Sequence, residues 1–408
     1  MEQALYSLPN EWRYTELGAL CKFENGDRGK NYPSRDAFVE AGIPVINAGN
    51  LDGRKIVESG LNYITRERYD ILGSGKVRQG DLLFCLRGSL GKCAIVSNLS
   101  EGAIASSLVI VRPSESLDPN YLLYYFNSSL CSAFIERYNN GAAQPNLSAK
   151  SLSKFLIPLA SLKEQKRIVE KLDRLLTRID NAVEHLQESI ILADAFFKST
   201  LSSLVCSESI EHEKLSLEEL GSFSGGGTPS KNKSEFWDGE ILWITPKDMK
   251  SPVITNSELK ITQEGVRGSS AKFIPPRSVL IVARSGILRH TLPVCINENE
   301  CTVNQDIKVF IPNEKISSEY VQYMLKGYES FILSELVKGG VTVESLKYND
   351  FQNFKFPIPS IEEQKRIVEQ LSQVGKLTDP IKVELCIKIE YLQQLKASIL
   401  DSAFKGEL

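Results

Sequence analysis

Two long stretches of the chain place apolar residues at steps of three and four, and the text between them falls into short, turn-punctuated runs. In the first stretch Leu172, Leu176, Ile179, Val183, Leu186, Ile190, Ala193 and Phe197 form a heptad seam, the spacing that keeps one helical stripe facing a partner. It predicts a helix from Ser161 to about Leu204, roughly 65 Å long at about 1.5 Å per residue. The second stretch repeats the seam as Leu371, Val374, Ile381, Leu385, Leu392, Leu395 and Ile399, with Thr378 and Lys388 falling on it. Asp379-Pro380 reads as a restart, with Asp as N-cap and Pro at the first helical position, so a break or kink is expected between Gly375 and Pro380. Each helix could pack on its own domain, but two matched seams in one chain favour mutual pairing.

Both helices begin alike. Ser161 precedes Glu164 by three, and Ser360 precedes Glu363 by three, the spacing of a capping box. The heptapeptide Glu164–Glu170 recurs as Glu363–Glu369, 199 positions later. At the same offset Leu108 matches Ile307, Tyr121 matches Tyr320, Tyr124 matches Tyr323, Gly141 matches Gly340, Leu147 matches Leu346, Phe155 matches Phe354 and Pro158 matches Pro357. Solenoid repeats run only about 20–50 residues, so this is a tandem of whole domains.

Between the helices lie apolar runs of strand length, at 42–46, 81–86, 108–111, 241–244, 278–283 and 307–311. One helix per domain is expected, over 119–138 and 318–337. The fold class is therefore α+β, two tandem domains each followed by a long helix. The boundaries drawn are a domain over 1–157, a helix over 158–206, a domain over 207–357 and a helix over 358–408.

Composition narrows the possible functions. The content is 42% hydrophobic and 24% charged, ordinary for a globular protein, and the net charge is −3. Residues 1–157 carry 17 Lys and Arg against 16 Asp and Glu, and residues 207–357 carry 17 against 20. Any nucleic-acid contact must therefore come from local patches. No run approaches the roughly 18 apolar residues of a membrane span, and the start lacks a signal-peptide pattern, so the cytoplasm is the expected compartment. Eight cysteines form no CxxC pair and only three histidines occur, so a metal site is not expected.

Catalytic motifs are missing. Gly88-Ser-Leu-Gly-Lys92 is too short for a phosphate-cradling loop and lacks the following hydroxyl. Gly225-Gly-Gly-Thr-Pro229 lies in a polar stretch and reads as a mobile surface loop. Neither Asn-Pro-Pro-Tyr nor Asp-Pro-Pro-Tyr, used by adenine methyltransferases, occurs, and no nucleophile elbow is present.

The duplicated junction, Pro-x-x-Ser-x-x-Glu-Gln-Lys-Arg-Ile-Val, together with the last stretch Ile399-Leu-Asp-Ser-Ala-Phe-Lys-Gly-Glu-Leu408, resembles the specificity subunit of type I restriction–modification systems over the full length. The resemblance implies two target-recognition domains separated by two conserved helices packed as an antiparallel coiled coil, with pseudo-two-fold symmetry. It implies a non-catalytic reader of an asymmetric bipartite site in double-stranded DNA. Two modification subunits would bind S-adenosylmethionine and methylate adenine N6. Restriction or translocase subunits would add ATP and Mg, so this chain itself would hold no cofactor. Two other readings stay open: a self-contained restriction or modification enzyme, and a coiled-coil protein-binding adaptor.

Base readout uses Arg or Lys for guanine, Asn or Gln for adenine, and small hydroxyls, carried on loops. In the first domain the candidates are Arg28, Lys30, Asn31, Arg35, Asn47, Asn50, Arg87, Ser89, Gln144 and Asn146. In the second they are Thr228, Lys231, Asn232, Lys233, Thr245, Lys247, Arg284, Ser285, Arg289, His290 and Thr342. The repeated junction nominates Gln165, Arg167, Gln364 and Arg366 as partner contacts, with a solvated helix face as the alternative.

Overall fold

The computed structural model describes residues 5–27, 29, 32–139, 145–206, 212–340 and 343–408, and only the backbone of Arg35. The chain divides into two compact units, one of residues 1–186 with 386–408 and one of residues 187–385.

In the first unit, β1 (Cys21–Asn25), β2 (Ile43–Ile46), β3 (Leu82–Cys85), β4 (Glu101–Ile104) and β5 (Leu108–Pro113) belong to two four-stranded sheets. β1, β5, β3 and Cys93–Ile95 form an antiparallel sheet. In the other sheet β2 runs parallel to β4, between Asn62–Ile64 and Lys76–Arg78. The run at β3 is apolar throughout because successive side chains enter different cores. Leu82 and Phe84, with Val109 and Val111, pack under α1 (Pro119–Phe126). Leu83 and Cys85, with Leu108 and Ile110, pack against Ile46 and Val77 of the other sheet.

The expected helix over 119–138 is two helices. Asn127 closes α1, and the Ser128 hydroxyl caps α2 (Ser129–Tyr138) by accepting from Cys131 N–H at 3.3 Å. The first long helix follows as α3 (Leu162–Val205), 44 residues or about 66 Å.

The second unit repeats the plan. β6 (Gly221–Gly225), β7 (Trp237–Ile244), β8 (Val279–Val282), β9 (Thr302–Val303) and β10 (Ile307–Pro312) take the places of β1 to β5. The order is β6, β10, β8, Val294–Asn297 and Val253–Ile254 in one sheet, and Leu259–Ile261, β7 and β9 in the other, with β7 and β9 parallel. The expected helix over 318–337 is likewise two, α4 (Ser318–Gly327) and α5 (Glu329–Glu335). The last is α6 (Ile361–Lys405), 45 residues without a break.

Of the break or kink expected at Gly375–Pro380, the break is absent, since the helix continues through it. Asp379 pairs with Lys382 at 2.9 Å. Thr378 Oγ1 donates to the Val374 carbonyl at 3.0 Å, so its hydroxyl also stays inside the helical pattern. Pro380 has no N–H for the Lys376 carbonyl, but Lys376 is exposed and water can take the donor's place.

The α6 seam also sits one position from that read in the sequence at two places. Ile381 and Leu395 are 50% and 48% exposed. Lys382 and Lys396 turn inward instead and meet α3. In the second unit Lys382 Nζ reaches Asp194 at 2.9 Å, and in the first unit Lys396 Nζ reaches Asp180 at 2.7 Å. No helix among the described residues is long and apolar enough to cross a membrane.

Candidate nucleic-acid interface

In each lobe one tight turn gathers the exits of three strands. In the first lobe this turn is 105–107, between β4 and β5. Ala105 N–H donates to the Ile46 carbonyl at the end of β2 at 2.8 Å, and Leu86 N–H, just past β3, donates to the Ser107 carbonyl at 2.8 Å. The end of β1 comes so close that a Cβ on Gly26 would lie 2.8 Å from the Ala105 carbonyl. Leu147 N–H donates to the Leu86 carbonyl at 2.9 Å, which brings Pro145 and Asn146 to the same place.

The second lobe repeats these bonds around 304–306, 199 positions on. Asn304 N–H donates to Ile244 at 2.9 Å, Ala283 N–H to Asp306 at 2.8 Å, and Leu346 N–H to Ala283 at 2.8 Å. A Cβ on Gly226 would lie 2.1 Å from the Val303 carbonyl. The Gly225–Pro229 stretch expected to be mobile is packed: Gly227 N–H donates to Val303 at 3.0 Å and its carbonyl accepts Trp243 Nε1 at 2.9 Å. Glycine stands at 226 and 227 because backbone and Ser270 occupy the space a side chain would need.

This latch brings together side chains from distant parts of the sequence. In the first lobe exposed Arg87 bridges to Asn146, Nε donating to Oδ1 at 3.2 Å, beside exposed Ser89. Asn47 follows β2, and its Oδ1 accepts from Gly49 N–H at 2.7 Å. In the second lobe Arg284 bridges to Ser345, the position matching Asn146. Ser285 caps the turn Gly286–Arg289, and exposed His290 follows it. Arg289 pairs with Glu344, and Arg284 Nε lies 3.3 Å from Asp306 Oδ1. The Arg289 guanidinium holds the Glu344 carboxyl below the usual range, against the opposing effect of burial. Thr228 contacts Gln305 through its hydroxyl, Thr245 Oγ1 donates to Asp248 Oδ2 at 2.8 Å, and Lys247 is exposed at the turn. Lys231, Asn232 and Lys233 are exposed, with Lys233 Nζ 4.8 Å from the centre of the Phe236 ring.

The comparisons with known proteins bear on this duplicated arrangement. The family model described as "Type I restriction modification DNA specificity domain" matches residues 9–190 and, a second time, residues 210–391. The chain belongs to this family. It is 36% identical to the EcoR124I/EcoR124II specificity subunit of Escherichia coli over 274 residues, 67% of each chain. It is 23% identical to the StySPI specificity subunit of Salmonella potsdam, over 98% of this chain and 90% of that one. Among solved structures, a chain from a study of assembly and conformational transition of the type I R-M system aligns with a TM-score of 0.79 at 22% identity, covering 99% of this chain and 100% of that one. The HsdS subunit from Thermoanaerobacter tengcongensis aligns with a TM-score of 0.54 at 21% identity, covering 100% of both. These two structures bear on the fold alone.

Within the two specificity domains, several sequence candidates have structural work instead. Asn50 is 2% exposed; its Oδ1 accepts from Asn47 N–H at 3.0 Å and its Nδ2 donates to Val57 at 3.3 Å, so it closes a turn and is out of reach of DNA. Gln165 and Gln364 are both 0% exposed and cannot meet a partner. Gln165 Oε1 accepts from Asp118 N–H at 2.8 Å, just before α1, and its Nε2 donates to Ser116 and Ala160. Gln364 does the same with Ser317, Lys315 and Pro359. Each glutamine clips the start of a long helix to its specificity domain.

The capping boxes form by half. The Ser161 and Ser360 hydroxyls each accept a backbone N–H at 3.3 Å, while the glutamates turn to arginine. Glu164 takes Arg167 at 2.7 Å and Glu363 takes Arg366 at 3.2 Å. Arg28, Lys30, Asn31, Gln144 and Thr342 lie outside the described residues, as does the side chain of Arg35. Gln305, Asp306 and Glu344 were not among the candidates although they stand in the gathered loops. Extending the 199-residue offset three positions upstream of Leu108 and Ile307 would have reached the turn that holds Gln305 and Asp306.

Proposed function

We propose that this specificity subunit reads an asymmetric, bipartite site in double-stranded DNA, each domain reading one half through the loops its latch gathers. The observation that carries this reading is the repeated latch itself: matched backbone hydrogen bonds present matched loops in both domains, while the side chains on those loops differ. A common frame with different reading groups suits two unlike half-sites. Two modification subunits would methylate adenine N6 with S-adenosylmethionine, and restriction subunits would supply ATP- and Mg-dependent steps, with no chemistry assigned to this chain.

α3 and α6 are the proposed antiparallel spacer. Support comes from each unit by itself, where a lysine of α6 pairs with an aspartate of α3. The deciding experiment maps methylated adenines in cells carrying this chain with its modification subunit, before and after residues 1–157 are replaced by the corresponding domain of a relative. One half-site should change and the other persist. A swap that altered both halves, or methylation without sequence preference, would refute the modular reading. Binding of S-adenosylmethionine by the pure chain would favour a self-contained enzyme.

A further inference from the structure

Two carboxylates stand behind two exposed arginines in the second specificity domain. Arg284 and Arg289 have side chains 62% and 55% exposed, whereas Glu344 is 8% exposed overall. Both acids are set by backbone. Ala283 and Arg284 N–H groups donate to the Asp306 carbonyl at 2.8 and 3.2 Å, and Ser285 N–H donates to the Glu344 carbonyl at 3.1 Å. Each acid approaches its arginine through Nε, Asp306 at 3.3 Å from Arg284 and Glu344 in direct contact with Arg289.

A guanidinium gripped on its Nε side keeps its terminal nitrogens for another ligand, and that pair of donors matches the O6 and N7 acceptors of guanine. Asp306 is compensated on both oxygens, Oδ1 by the Arg284 ion pair at 3.3 Å and Oδ2 by the Asn304 and Gln305 amides. Glu344 Oε2 is buried without a hydrogen-bond partner among the described residues. Such an atom is costly to keep for stability alone, which favours a role in aiming charge. An arginine fixed before binding has less side-chain freedom to lose on the DNA. The first domain lacks the device: Ser107 and Pro145 occupy the positions of Asp306 and Glu344, and Arg87 leans on the neutral Asn146 amide.

We infer that Glu344 and Asp306 are positioning residues for Arg289 and Arg284, and that the second domain reads guanine in its half-site through these two arginines. This rests on the proposed DNA-reading function and adds the base it recognises.

The test uses the full chain assembled with its modification subunits. Methylation rates are measured on every single base-pair variant of the mapped site. Arg289→Lys keeps the charge and removes the fork, so discrimination should fall roughly 5- to 150-fold at one G·C pair of the second domain's half-site, with other positions unchanged. Glu344→Gln should lose discrimination at that same pair, and adding it to Arg289→Lys should cost nothing more. Arg284→Lys and Asp306→Asn form the parallel set, and the two surface lysine variants carry the test if an acid variant does not fold. Unchanged discrimination in both lysine variants, a uniform loss across all sequences, or a half-site without G·C pairs would overturn the inference while leaving DNA reading intact. Absence of sequence-selective methylation by the wild type would overturn both.

Discussion

The two specificity domains share a backbone frame and differ in where they keep their buried charge. In the first, the network lies at the start of β3, a strand's length from Arg87. Arg112 donates to Asp81 at 2.8 Å, to the Lys76 carbonyl at 2.7 Å and to Glu24, tying β1, β3 and β5 to the neighbouring sheet. In the second domain the matching positions are Ser224, Ser278 and Ile311, and a half-buried Asp306 and a buried Glu344 stand instead under the candidate loops. The lesson is that the latch needs only backbone groups and small residues. Ionic groups can then stand at different places in the two domains without disturbing the frame.

The sharpest way to break this comparison is to strain the latch in both domains. Gly226→Ala should destabilise the second domain by about 3 kcal/mol or more, because its Cβ would meet backbone carbonyls at 2.1 and 2.2 Å. Gly26→Ala should cost less, since its nearest atom would be at 2.8 Å. Thermal unfolding of the two variants would show the order, and equal losses would mean that the domains use their glycines alike.

Next in size are the junction glutamines. Gln165→Ala and Gln364→Ala each strand a buried backbone N–H, of Asp118 and Ser317 respectively, so each should cost about 2 kcal/mol. Near-equal losses in denaturant unfolding would establish the two clips as equivalent. A negligible loss at either site would show that the clip there is not needed to hold the helix to its domain.

Acid should distinguish the domains more gently. Burial raises the Glu24 carboxyl, but Arg112 and the N–H groups of Gly75 and Lys76 outweigh it and hold the group below its ordinary value. A depressed folded value means stability that is present above the unfolded value, roughly 4.3, and lost as pH falls through the folded one. Arg112→Ala should weaken the first domain near neutral pH by about 1–3 kcal/mol and flatten that acid dependence, with no change in the second domain. Hydrogen exchange followed between pH 3 and 7 (chosen to bracket a value of about 4) would report each domain separately. The smallest effect is expected from Arg167→Ala and Arg366→Ala. Both arginines are exposed and pair one turn back on their own helix, so each change should alter stability by less than about 1 kcal/mol. A large loss of modification-subunit binding in either variant, with unfolding unchanged, would make it a partner contact.

Much of the architecture was legible in the residues alone. The duplication, the α+β domains and the two long helices follow from local patterns, since apolar periodicity and caps are properties of neighbours in sequence. The resemblance to type I specificity subunits stood on the repeated junction, and the comparisons agree with it. Most of the candidate loops were placed in the sequence by the strands they follow, while the one carrying Asn146 follows α2. Their individual members were not legible. Asn47 and Asn50 look interchangeable as text, yet one is half-buried and the other is sealed by two hydrogen bonds. Gln165 and Gln364 looked like a shared partner surface because they repeat, but repetition serves an internal clip equally well.

What the sequence by itself determined, then, is where elements begin, how often they recur and which stripes are apolar. What tertiary structure decided is which polar groups face inward. Lys382 and Lys396 took places that hydrophobicity assigned to Ile381 and Leu395, because aspartates on α3 offered them partners. Burial of a polar side chain depends on a partner's position, and for Asp306 behind Arg284, or Glu344 behind Arg289, that partner is supplied only when distant strands converge on one turn.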